Sequence, residues 1–124
     1  MRIKYVYVAG SYNADNIVTA LDNMRIGMRK SFEVLQAGFI PFVPWFDYHF
    51  QLMIQPGDKI LTKEDYYRYS MAWLEVCDAV LVVNYNGESI GTNKEIERAE
   101  ELGIPVFYDL SALCSFVRLN NELS

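Results

Sequence analysis

Apolar positions along this chain follow two rhythms. Dense short runs occur at Ile3-Lys4-Tyr5-Val6-Tyr7-Val8-Ala9, Phe39-Ile40-Pro41-Phe42-Val43-Pro44, Ala79-Val80-Leu81-Val82-Val83 and Ile104-Pro105-Val106-Phe107-Tyr108. They are rich in β-branched and aromatic residues and read as strands. Between them the apolar spacing becomes helical. Ile17, Leu21, Met24, Met28, Phe32 and Leu35 predict one stripe of a helix over about 16–37. Asn13-Ala14-Asp15-Asn16 supplies its turn and N-cap, and Gly38 its end. A second helix is predicted from the cap Thr62, with Glu64 and Asp65 in its first turn, to about Val76. A third runs from Thr92 to Leu102 and stops at Gly103, and a fourth from Ser111 to about Leu119. Residues 44–62 form a long aromatic connection with a turn at Pro56-Gly57-Asp58.

Strand and helix alternate four times. This order predicts an α/β domain, a mostly parallel sheet with helices on both faces. Ligands of such sheets bind beyond the carboxyl ends of the strands, where the strand order reverses. The exits of strands one and three are the turn Ala9-Gly10-Ser11 and the segment Asn84 to Gly91. Two polar turns thus converge on one crevice. The second, Ser89-Ile90-Gly91-Thr92-Asn93-Lys94-Glu95, opens a helix, so it offers backbone N–H groups and a positive dipole end to an anion. Glu95 lies on the side of Ala99 and Leu102, which should face the sheet. Thr92-x-x-Glu95 is also the pattern of a capping box, which would make Glu95 a helix-start residue.

Composition narrows the partners. The 124 residues carry a formal charge of -5 without a Lys/Arg cluster, so the footprint for a nucleic-acid duplex is missing. A small anion remains compatible with a local helix end. No apolar run approaches membrane-spanning length, and no signal-peptide core opens the chain, so a cytoplasmic location is expected. Cys77 and Cys114 have no metal-ligand spacing and read as buried thiols; His49 is the sole histidine, and neither a metal nor a cofactor is expected. The aromatic excess in 39–73 suits a stacking wall, a dimer contact or an ordinary core; Trp73 reads as core. There is no G-x-G-x-x-G, no P-loop and no G-x-S-x-G. Strand three lacks the Asp of a phosphoacceptor receiver domain.

Tyr7-Val8-Ala9-Gly10-Ser11, the run from Trp73-Leu74 through Cys77-Asp78-Ala79-Val80-Leu81-Val82-Val83, the S-x-G-T-x-x-E segment and Ala99 with Gly103-Ile104-Pro105-Val106 together resemble the nucleoside 2-deoxyribosyltransferase superfamily. The likeness is greatest to its nucleotide N-glycosidase branch and its small phage and bacterial members. It covers about residues 3–110. It implies a flavodoxin-like, doubly wound parallel sheet of four to five strands and a homodimer or dimer-built oligomer. The implied chemistry is cleavage, by hydrolysis or transfer, of the N-glycosidic bond of a deoxynucleoside 5′-monophosphate or nucleoside. By this resemblance Glu95 is the nucleophile and Tyr7 the residue that orients it. Ser89, Gly91 and Thr92, with Ala9, Gly10 and Ser11, bind the phosphate side, and Asp47 is the candidate sugar or base contact. Ser89 stands where transferases commonly carry Asp, which favours hydrolysis of a phosphorylated substrate.

The family often places an Asp eight residues before the Asp that enters strand three. With Asp78 in the latter role, the former position is Ser70, which lacks an acidic proton to give a departing base. Asp47 and Asp65 are the candidate replacements. Two rival readings remain open: a nucleotide-binding module without efficient turnover, and a structural protein whose aromatic loop packs on another chain.

Overall fold

The computed structural model describes residues 2–123. Four parallel strands form one sheet: β1 (Tyr5–Gly10), β2 (Ile40–Phe42), β3 (Ala79–Val83) and β4 (Val106–Phe107), in the order β2-β1-β3-β4. The helices are α1 (Ile17–Gln36), the short α2 (Tyr48–Leu52), α3 (Lys63–Leu74), α4 (Ile90–Glu101) and α5 (Leu110–Leu123). A 3-10 turn, Pro44–Asp47, precedes α2. The predicted α/β doubly wound sheet is therefore present, with four strands. The connection 44–62 is more structured than expected, because the 3-10 turn and α2 occupy its first half.

β3 has the five consecutive buried residues expected of a strand covered on both faces. β1 lies beside it, with Val6 opposite Ala79 and Gly10 opposite Val83. Val6 and Val8 point to one face, where they meet Leu81, Met24 and Val34 of α1, and Leu113 of α5. Tyr7 and Ala9 point to the other, among Val80, Val82, Leu74, Ile96 and Ala99 of the β3–α3–α4 layer. The carboxylate of Asp78 accepts the N–H groups of Lys4 and Tyr5 at 2.8 and 2.9 Å, tying the start of β1 to the entry of β3.

Helix ends follow their cap chemistry. Asn16 caps α1 by accepting the Thr19 N–H at 2.9 Å, and Gly38 takes φ +100 just beyond the helix. Thr62 and Asp65 form a reciprocal capping box on α3. The α1 stripe differs from expectation. Its buried positions are Met24, Gly27, Ser31 and Val34, while Ile17, Phe32 and Leu35 are exposed. The helix is rotated toward its small residues because Gly27 lies under the ring of Trp45.

Candidate functional site

The adjacent exits of β1 and β3 are fastened by a chain of polar contacts. The Ser11 hydroxyl donates to the Asn84 carbonyl at 3.2 Å. Asn84 has φ +49, a left-handed conformation that Asn tolerates better than most residues. Its side-chain amide donates to Asn23 of α1 at 3.0 Å, and Asn23 reaches the Tyr12 carbonyl at 3.5 Å. On the other side the Trp45 indole N–H donates to the Ser11 carbonyl at 3.1 Å. Trp45 is 1% exposed. A methyl group at Gly10 would lie 2.6 Å from the Val83 oxygen and 3.0 Å from the Trp45 ring, so only glycine fits there.

Tyr7 sits in the middle of β1 and has no exposed surface. Its ring stacks on Phe42 with centroids 5.4 Å apart. Its hydroxyl makes no hydrogen bond of ordinary geometry, the one such buried side-chain atom among the described residues. It nevertheless lies close enough to Glu95 and Ser70 for both to affect its titration. Burial, first, and the Glu95 carboxylate, second, hold the Tyr7 hydroxyl well above the ordinary tyrosine range. Glu95 projects from α4 toward it. The carboxyl is tightly surrounded yet keeps some surface at the crevice. Desolvation raises its pKa from 4.5 to about 7, against a smaller lowering by the nearby Tyr7 hydroxyl. Sequence spacing therefore placed Tyr7, Glu95 and Ser70 in three separate elements, and folding brings them to one spot.

Glu95 is not a capping residue. α4 begins two residues before Thr92, and its N-cap is Ser89, whose hydroxyl accepts the Thr92 N–H at 3.3 Å. The Thr92 hydroxyl, 1% exposed, donates to the same oxygen at 2.9 Å. The capping-box alternative is thereby removed, since Glu95 lies beyond the first turn of α4. Ser89 is half-buried and Gly91 is exposed, with open space where its side chain would be. Ala9 has no exposed surface and serves the core; in that turn Gly10 and Ser11 retain surface.

Asp47 ends the 3-10 turn beside Tyr12. Burial raises its carboxyl above the ordinary range, while hydrogen bonding from Tyr12 opposes this. Tyr12 is in turn raised by burial and then by the Asp47 charge. Asp65, the other candidate acid, has its carboxylate committed to the Thr62 cap, which lowers its pKa. It is a poor proton donor. The aromatic excess forms a continuous row from Tyr7 through Phe42 to Trp73 and Tyr69, with Phe50 of α2 packed edge-on against Tyr69. Trp73, expected in the core, is 46% exposed at the outer end of this row. Trp45, Tyr12, Asn23 and Asn84 were not singled out by sequence reasoning as parts of the site's frame. Asn84 directly after a buried strand was the available signal; the other contacts are long-range.

Cys77 is buried, its thiol pushed up to about 12, and Cys114 is half-buried; both are free. No cluster of three or more His, Cys, Asp or Glu side chains able to hold a metal occurs among the described residues. No helix among them is long and apolar enough to cross a membrane. Two surface hollows are lined by residues other than Tyr7 and Glu95. One of about 390 Å³ is lined by Phe39, Cys114 and Val117, and one of about 420 Å³ by Tyr67, Met71 and Lys94.

The fold is similar to that of a solved 2-deoxyribosyltransferase from the psychrotolerant bacterium Bacillus psychrosaccharolyticus. The TM-score is 0.60 at 16% identity, over 82% of this chain and 69% of that one. At this identity the likeness establishes a shared architecture. No curated protein matches the sequence. A family model does match, over residues 4–109, and it spans both strand exits, Tyr7 and Glu95; the chain belongs to the family described as Domain of unknown function (DUF7768).

Proposed function

We propose that the protein cleaves the N-glycosidic bond of a deoxynucleoside 5′-monophosphate or nucleoside, with Glu95 as nucleophile and Tyr7 as its orienting partner. The observation that carries this reading is the Glu95 carboxyl held against the buried Tyr7 hydroxyl, with its pKa raised to about 7. A carboxylate in such surroundings is poorly solvated and more reactive when ionised. It would attack the anomeric carbon and expel the base. Water or a second base would then resolve the glycosyl ester. The Ser89 cap, the N-terminal N–H groups of α4 and the Gly10-Ser11 turn are the proposed anion side. The likeness of fold to a deoxyribosyltransferase supports the same chemistry. Water is the preferred acceptor because Ser89 adds no charge to repel a phosphate.

The test is release of free base from a panel of deoxynucleosides and their 5′-monophosphates, followed by chromatography. Glu95→Gln retains size and much of the hydrogen bonding. It should reduce release on the order of a thousandfold while the protein stays folded. Undiminished release by folded Glu95→Gln would remove Glu95 from the chemistry.

One observation favours a second reading, a nucleotide-binding module. Ser70, and no carboxylic acid, stands on α3 beside Tyr7. Tight nucleotide binding without base release from any substrate would select it.

A further inference from the structure

We propose that Trp45 is a positioning residue for the anion side of the crevice, setting the Gly10-Ser11 turn through its indole N–H. The proposal rests on the phosphate-binding reading above. Trp45 is a large side chain to seat on a connection between strands, yet it is among the most completely buried in the protein. Two glycines are cut to its shape. A methyl at Gly27 would fall 2.4 Å from the indole Cε2 and Cζ2, and one at Gly10 would fall 3.0 Å from Cζ2. The ring therefore fills the space between α1 and the end of β1, and no residue larger than glycine is tolerated on either side of it.

Its one polar atom is directed at the turn itself. The indole N–H donates to the Ser11 carbonyl at 3.1 Å. The Ser11 hydroxyl separately donates to the Asn84 carbonyl at 3.2 Å. The indole bond holds the peptide plane after Ser11 from the β2 connection, and the hydroxyl bond ties the Ser11 side chain to the β3 exit. That peptide plane cannot swing without breaking the partly buried indole hydrogen bond, so the Tyr12 N–H, which lies in it, keeps one direction. Nothing in packing alone demands the bond, since Phe would supply apolar bulk. The N–H matters for where the turn points. Trp45 is the second residue of the 3-10 turn that ends at Asp47, so the same anchor sets the distance between the Asp47 carboxyl and the anion side.

The experiment compares Trp45→Phe with a variant carrying 3-benzothienylalanine at position 45, which keeps the bicyclic shape and lacks the N–H. Affinities for a deoxynucleoside 5′-monophosphate panel and the matching nucleosides are measured by calorimetry, with thermal unfolding in parallel. The expected result is a monophosphate affinity about fivefold weaker in the isostere, with nucleoside affinity nearly unchanged. Trp45→Phe should show the same split with a lower melting temperature. A merely structural Trp45 would weaken both ligands equally, or neither, and that outcome in the isostere overturns the proposal. If wild-type protein binds nucleosides but gains nothing from the phosphate, the anion side and the role of Trp45 fall together, while Glu95 chemistry on nucleosides is still open to its own assay.

Discussion

Glu95 and Ser89 sit on the same helix and ask opposite things of charge. The crevice raises the Glu95 pKa to about 7 by desolvation, so at neutral pH the carboxyl is divided between its two forms. Only the ionised form is a nucleophile. Base release should therefore rise through pH 7 from a low acidic plateau, as read from kcat/KM between pH 5 and 9. A flat profile across that range would contradict the environment described for Glu95. Ser89 is uncharged, and its hydroxyl already accepts from Thr92. Ser89→Asp should keep the cap, since Asp is an equally good N-cap. It should weaken a bound monophosphate at least about tenfold through like-charge repulsion while sparing the nucleoside. Calorimetry on the two ligands tests this directly. At this scale the sequence was legible near the start of α4: the strand-turn-helix spacing singled out Ser89, Gly91 and Glu95, and the family resemblance supplied the role proposed for Glu95. Trp45, Tyr12 and Asn23 could not, because their partners lie far along the chain and no local periodicity encodes such contacts.

The elements were readable for a simple reason. β3 is a pure apolar run between polar flanks, and its observed bounds match the expected ones. Asn16 and Thr62 have strong cap chemistry, so α1 and α3 begin where that chemistry predicts. One boundary and one buried face departed from expectation for equally physical reasons. Thr92 and Ser89 are both good caps, and the earlier one won, starting α4 two residues before Thr92. On α1 the hydrophobic stripe pointed to Phe32 and Leu35, but tertiary packing selected Gly27 and Ser31 so that Trp45 could close against the helix. This yields a prediction opposite to helix propensity. Gly27→Ala should gain up to about 1 kcal/mol as a helix former. The new methyl would lie 2.4 Å from an indole ring that is itself enclosed, and such overpacking costs about 1–3 kcal/mol. Strain should win, for a net loss of about 1 kcal/mol or more in urea unfolding. A more stable Gly27→Ala would mean that Trp45 can move aside.

For the molecule as a whole, the desolvated Glu95 carboxyl should set the alkaline side of the stability profile. A carboxyl whose folded pKa lies above its unfolded value is bound to its proton more tightly in the folded state. The stabilisation is complete below the unfolded value of 4.5 and is lost as pH rises through about 7. The span is at most about 3 kcal/mol, because Glu95 keeps some contact with solvent. Glu33 and Asp65 act the other way. Lys30, chiefly, lowers the Glu33 pKa, and the Thr62 cap lowers that of Asp65. Their contributions are present above the unfolded values and disappear as pH falls through the lowered folded ones. Stability should thus peak between these limbs, in the weakly acidic range, and decline toward pH 8. Glu95→Gln removes the alkaline limb without touching the acidic one. The variant should match wild type near pH 4 and exceed it at pH 8, where calorimetric melting should show a higher Tm. An equal Tm difference at both pH values would mean that Glu95 ionises freely in the folded protein. In that case its placement against Tyr7 would not be the source of any special reactivity.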